Sequence, residues 1–170
     1  MDNDDIARFW ERLKAINAGF LGTESGSARM VPMSHTLLDG DATIWFITAR
    51  DTDLAEAVEH GSADASYIVG EGSEGLYAAI HGELVRNNDP DLRDALWSTA
   101  VDSWFEGGKE DPQVCVLGLR PARAEIWLTT TSGLSFAYNI LRAQVTGKQP
   151  DIGSHGEVSG AELAQSRAAS

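Results

Sequence analysis

The sequence predicts a mainly β fold of the α+β kind: about six short strands, mostly in antiparallel hairpins, with helices at the ends and in two connections. Three observations carry that reading. Short runs rich in Val, Ile, Thr and aromatic residues are bounded by clusters of Gly, Asp and Ser. The turn Asp39-Gly40-Asp41 and the loop from Gly70 to Gly75 each join two such runs, as hairpin connections do. Helical periodicity is confined to a few stretches, the first of them close to Met1.

Taken in order, Asn3 or Asp4 is suited to cap a first helix whose Ile6, Phe9, Trp10, Leu13 and Ile16 form one apolar stripe and cover a sheet. Gly19 breaks it, and Ala18 to Thr23 reads as a strand that ends in the turn Glu24-Ser25-Gly26-Ser27. A second strand, Ala28 to Leu38, and a third, Thr43 to Thr48, flank the Asp-Gly turn. Pro32 cannot donate a ladder hydrogen bond, so the second strand is expected to be bulged or at an edge there, leaving backbone groups free for a ligand. Asp53 with Glu56 makes a capping-box pattern for a short helix that His60-Gly61 ends.

Ala65 to Val69 and Leu76 to Arg86 are strands; in the second, Tyr77, Ala79, His81 and Glu83 share one face and Ala78, Ile80, Gly82 and Leu84 the other. The loop between them is too acidic to cradle a phosphate. Asp89-Pro90 opens the longest helix, carrying Leu92, Leu96, Trp97, Ala100, Val101 and Trp104 and ending at Gly107-Gly108. Val114 to Leu119 and Ala124 to Leu128 are expected as two strands joined by a turn at Arg120-Pro121-Ala122-Arg123. Beyond a threonine-rich loop, Ser135 to Val145 reads as a helix with Phe136, Ile140, Leu141 and Val145 inward. Residues 151–170, rich in Gly, Ser, Ala and Glu, read as a mobile tail on a domain of residues 1–150.

A chain of 170 residues is one domain by size and can bury a sufficient core without disulfides or metals. With 26 acids against 13 bases, the formal charge of −13 repels nucleic-acid backbones and anionic lipid, so neither is expected as a partner. Cys115, the single cysteine, lies in an apolar run and reads as a small buried hydrophobe. No signal peptide and no run of membrane-spanning length is present, which makes the cytoplasm the expected location.

The stretch from Ala28 to Asp53 stands out, because two strands lead into the polar corner Arg50-Asp51-Thr52-Asp53, where a helix start turns backbone N–H groups toward an anion. Arg29-Met30-Val31-Pro32-Met33 followed by Trp45-Phe46-Ile47-Thr48 resembles the flavin-binding hairpin of the pyridoxamine 5'-phosphate oxidase-like family, and most closely its general stress protein 26 branch. The segment Trp104-Phe105-Glu106-Gly107-Gly108-Lys109-Glu110-Asp111-Pro112, the strand Ala124 to Trp127 and the segment Thr146 to Pro150 match that branch in the same order, so the resemblance runs from about Ile6 to about Val158.

The resemblance implies a six-stranded antiparallel split β-barrel with flanking helices, a homodimer with the cofactor in the groove between protomers, and FMN or another flavin as that cofactor. Arg29 would then approach the flavin phosphate, and Met30, Val31 and Pro32 would line the isoalloxazine with Phe46, Ile47 and Thr48 beside it. Thr52 matches a phosphate-binding Ser of the related oxidases, Arg50 lies in the same corner, and Tyr77 and Trp127 fall near positions that face the ring or its groove. Apolar walls for the ring and charged or N–H donors for the phosphate are what such a ligand needs. The chain departs from the family where a Lys is usual, since Asp53 and Leu54 stand there and put an anion where a cation is expected.

No catalytic set emerges. His35, His60, His81 and His155 lack the short spacings of zinc sites, and Ser34-His35 with Asp39 has no nucleophile elbow beside it. Lys109 is suited either to a groove contact or to plain solvation. Three activities fit: a flavin-dependent oxidoreductase acting on a small-molecule substrate or redox partner, a flavin-holding stress protein without turnover, and an interaction module that has lost its cofactor. Oxidation of pyridoxamine phosphate is not expected.

Overall fold

In the computed structural model of the chain, residues 1–129 and 153–169 are described. The helix expected over 135–145, the loop at 130–133 and the motif at 146–150 lie outside them. Seven strands are described: β1 Ala18–Thr23, β2 Val31–Leu37, β3 Ile44–Ala49, β4 Ser62–Glu71, β5 Leu76–Asn87, β6 Val114–Thr129 and β7 Gly153–Ser159. They run in the order β3-β2-β1-β4-β5-β6-β7, and β3 also pairs with β6, which closes the first six into an antiparallel barrel.

Closure depends on the length of β6. Val114 to Leu119 pair with β3, and Arg123 to Thr129 pair with β7. The turn expected at Arg120 to Arg123 is therefore not there: one 16-residue strand runs through it. The neighbouring strand β5 explains this, because it stays hydrogen-bonded along both halves, and the bend is taken up by a register shift at His81/Gly82. Gly82 is obligatory at this bend, since a Cβ there would stand 2.0 Å from the Arg120 carbonyl oxygen.

The barrel is split between β2 and β3. Their ladder covers only His35 to Leu37 against Ile44 to Phe46, beginning at the turn where Gly40 takes φ 73°. Upstream, Val31 to Ser34 pair with β1 alone, and Ile47 to Ala49 pair with β6. Pro32 thus sits on a locally free edge, as a residue without an N–H requires.

Leu21, Ile44, Phe46, Tyr67, Ile80, Leu84 and Leu117 fill the interior, and α1 (Asn3–Ala15) covers it with Ile6, Phe9, Trp10 and Leu13. Its cap is Asp2, one residue before the expected pair, whose carboxylate accepts from the Asp5 N–H. The next helix, α2 (Asp53–Ala57), is capped by Thr52, so Asp53 stands at the first helical position rather than at the cap, and Ala55 occupies the place where a capping-box partner would have to be. The long helix expected after Asp89 is two short ones, α3 (Pro90–Leu96) and α4 (Thr99–Asp102). Ser98 separates them, because its hydroxyl accepts from the Val101 N–H and starts a new helix.

The stretch read as a tail from residue 151 is instead strand β7 and helix α5 (Gly160–Ala168). Ser159 and Glu162 form a reciprocal capping box, Val158 and Leu163 are buried, and the Arg167 guanidinium bonds the Leu38 carbonyl at 2.6 Å and the Asp41 carbonyl at 3.2 Å. Small residues allow this packing: Gly160 lies against the Pro121 carbonyl, where a Cβ would come to 2.1 Å. Glycine and alanine that composition reads as loop are here what lets backbones approach.

Candidate functional site

Where β2 and β3 part, a cavity of about 310 Å³ opens, lined by Arg29, Val31, Met33, Thr48, Thr52, Asp53 and Leu54. Strand parity puts the lining there. Val31 and Met33 lie on the same face of β2 and pack against the core, while Pro32 and Ser34 face out. On β3 the inward positions Ile44 and Phe46 are core, and the next, Thr48, falls at the mouth. Leu54, buried to 2%, anchors the corner that carries Thr52 and Asp53.

The polar groups at the mouth are unequal. Arg29 is exposed, and among the described residues nothing pairs with its guanidinium. The Thr52 hydroxyl donates to the Ala49 carbonyl at 2.9 Å and accepts from the Ala55 N–H at 3.3 Å, so its proton is spent. Thr48 lies 3.4 Å from it, Oγ1 to Oγ1, and keeps hydrogen-bonding capacity. Asp53 sets a carboxylate on the same rim. Arg29 attracts an oxyanion and Asp53 opposes it; a single contact at a protein surface is worth at most ~4 kcal/mol either way before solvation is counted.

Of the residues singled out in the sequence, this cavity gathers Arg29, Val31, Thr48 and Thr52. Met30 is half exposed and packs its backbone close to Gly22, and Pro32 faces outward opposite Phe20. Phe46 is 1% exposed and meets Tyr67 edge-on at 5.0 Å, in the core rather than in the cavity. Ile47 packs on the outer cluster of Trp45, Leu96 and Val116. Arg50 lines a separate cleft. Tyr77 and Trp127 are cross-strand partners on the outer face, where Trp127 stacks on His155 with centroids 4.8 Å apart. Met33 was not named as a lining residue, although its spacing of two from Val31 was the signal.

Two histidine clusters were not anticipated. His81 Nδ1 lies 2.8 Å from the Glu24 carboxylate and 2.9 Å from Ser66 Oγ, and Ser66 Oγ also donates to the Glu24 carboxylate at 3.0 Å; the hydrogen bonds that Glu24 accepts, that from His81 first and that from Ser66 second, hold its carboxyl below the ordinary range. Serine and carboxylate meet the same ring nitrogen, so the set cannot relay a proton as a nucleophile-base-acid triad does. His35 is half-buried, with Nε2 2.9 Å from the Leu13 carbonyl and Nδ1 2.7 Å from the Tyr67 hydroxyl, and desolvation pushes its pKa down.

The outer face of the barrel carries an apolar patch. Phe20 and Ile68 are cross-strand neighbours, 52% and 45% exposed, with Met30, Pro32 and Tyr77 on the same face. No helix among the described residues is long and apolar enough to cross a membrane.

Comparison with known proteins gives the same architecture. The family model described as pyridoxamine 5'-phosphate oxidase like matches residues 4–151. A crystal structure described as a general stress protein 26 of Jannaschia sp. CCS1 is 41% identical, superposes with a TM-score of 0.86 and is covered over 99% of its length by 93% of this chain. The general stress FMN/FAD binding protein of Xanthomonas citri is 30% identical with a TM-score of 0.69, matching 77% of this chain and 93% of its own. General stress protein 26 of Bacillus subtilis is 30% identical over 89 residues, 51% of this chain, and the match spans 62% of that protein's length, less than two thirds. With its closed antiparallel barrel split at β2 and β3, the chain belongs to the pyridoxamine 5'-phosphate oxidase-like family, on its general stress protein 26 branch.

Proposed function

We propose that the cavity in the barrel split holds the phosphate end of FMN, and that the chain works as a homodimeric flavin-dependent oxidoreductase on a small-molecule substrate. The observation that carries this reading is Arg29, which no described residue pairs with, on the same apolar-walled mouth as Thr48. The residues fit the group in kind: a guanidinium fork suits a phosphate, and Val31, Met33 and Leu54 offer apolar surface to the chain or ring attached to it. They fit it in part by size, since about 310 Å³ is at the small end for a ligand of this class. A second copy of the chain, set on the exposed face of Phe20, Ile68 and Tyr77, would supply the missing wall, and Trp127 or Tyr77 of that copy could then lie against the ring. The Xanthomonas citri protein described as FMN/FAD binding supports a flavin in this relative.

When bound, a flavin supplies the redox chemistry. The chain binds, orients and excludes water. Asp53 is the only carboxylate on the rim among the described residues, which weakens phosphate affinity and favours a second reading, a flavin-holding stress protein without turnover. The absorbance of purified protein at the flavin bands and its bleaching by NAD(P)H separate the readings: bleaching with turnover supports the oxidoreductase, bound flavin without it supports the holding protein, and no flavin after FMN titration overturns both. Arg29→Ala is expected to weaken FMN at least tenfold in a fluorescence titration; unchanged affinity refutes the phosphate assignment.

A further inference from the structure

A second cleft, of about 200 Å³, opens beside the same corner and shares no lining residue with the first. Arg50, Arg86 and Arg93 converge on it, from the end of β3, from β5 and from α3, together with Asn87, Asn88 and Asp89. Three of the chain's 13 basic residues thus meet at one cleft of a molecule carrying −13 overall. Like charges are expected to spread apart unless something between them is negative.

The protein itself only partly answers them. Arg93 pairs with Glu110 at 2.9 Å and approaches Asp94 at 3.8 Å, while its Nε is buried without a hydrogen bond among the described residues. Arg86 Nε donates to the neutral Asn88 side chain at 3.0 Å, and nothing described pairs with the Arg50 guanidinium. Asp89 is the one acid in the lining among the described residues, and one of its oxygens accepts from the Asp91 N–H at 2.9 Å. Donor capacity and positive charge are therefore in surplus, with the planar forks that suit a tetrahedral oxyanion.

We infer that this cleft is a binding site for the phosphate of a small phosphorylated molecule, separate from the flavin site. Two guanidinium groups without a carboxylate partner match a doubly charged group better than a monocarboxylate. The cleft admits a phosphate or pyrophosphate moiety, and the overall acidity of the surface turns away nucleic acid. The site does not depend on flavin binding at the barrel split.

The test is calorimetric titration of the full chain with inorganic pyrophosphate, with and without saturating FMN. One saturable site is expected, unaffected by FMN or by Arg29→Gln and weakened about tenfold or more by Arg50→Gln or Arg86→Gln. Arg50 is exposed and bonds nothing described through its side chain, so Arg50→Gln should fold, which far-UV circular dichroism checks. Absence of saturable binding overturns the inference. So does binding that FMN displaces or Arg29→Gln removes while Arg50→Gln leaves it intact, since the anion would then be seated at the flavin corner.

Discussion

At the scale of single residues, His35 sets a pH dependence. Nε2–H donates to the Leu13 carbonyl and Nδ1 lies 2.7 Å from the Tyr67 hydroxyl, and desolvation of the half-buried ring pushes its pKa below the ordinary histidine value of 6.5. The unfolded chain then binds more protons in the window beneath 6.5, so the stability contributed by neutral His35 is full above that value and is lost as pH falls through the window. Glu24 and Glu162, held below 4.5, titrate lower down. Thermal unfolding should fall between about pH 7 and pH 5 more steeply in the native chain than in His35→Gln; parallel profiles would assign the pH dependence elsewhere. Asp53 gives a second prediction. Asp53→Asn removes the carboxylate from the rim and should tighten FMN by about three- to tenfold, read from the same fluorescence titration.

At the scale of elements, the bend in β6 and the cap of α5 are the sensitive points. Gly82→Ala drives a methyl into the Arg120 carbonyl at 2.0 Å, against the Arg120–Pro121 backbone with no flexible side chain to yield, so about 3 kcal/mol or more should be lost in a denaturant melt. Ser159→Ala breaks the capping box and should cost about 1 kcal/mol. These elements also mark the limit of sequence reading. The β1 strand and the hairpin around Asp39-Gly40 were legible because alternation and turn chemistry are local. The helix break at Ser98 carried a local signal too, but the apolar spacing of Leu92, Leu96, Val101 and Trp104 runs through it and favours one continuous helix. The Pro121 segment looked like a turn and became strand, because pairing with β5 on its flank outweighs the local preference.

At the scale of the whole molecule, the exposed face of Phe20, Ile68 and Tyr77 bears on assembly. If two copies meet there, the double variant Phe20→Glu with Ile68→Glu should shift a dimer to monomer in sedimentation velocity and weaken flavin binding with it. A native chain that sediments as a monomer would remove the second wall from the proposed site. The C-terminal segment belongs to this scale as well: α5 reaches back through Arg167 to the β2–β3 turn and stacks the same guanidinium over Trp10 at 5.2 Å. No local pattern announces that contact.

By itself the sequence determined the fold class, the family and the arginine-led hairpin, because strand period, turn residues and short motifs are properties of neighbouring positions. Tertiary structure decided which of those positions face a cavity. Phe46 became core and Thr48 became rim through the closure of β3 onto β6, a pairing between segments far apart in the chain. It also decided where Arg50 belongs, since its company with Arg86 and Arg93 exists only once β3, β5 and α3 are packed together.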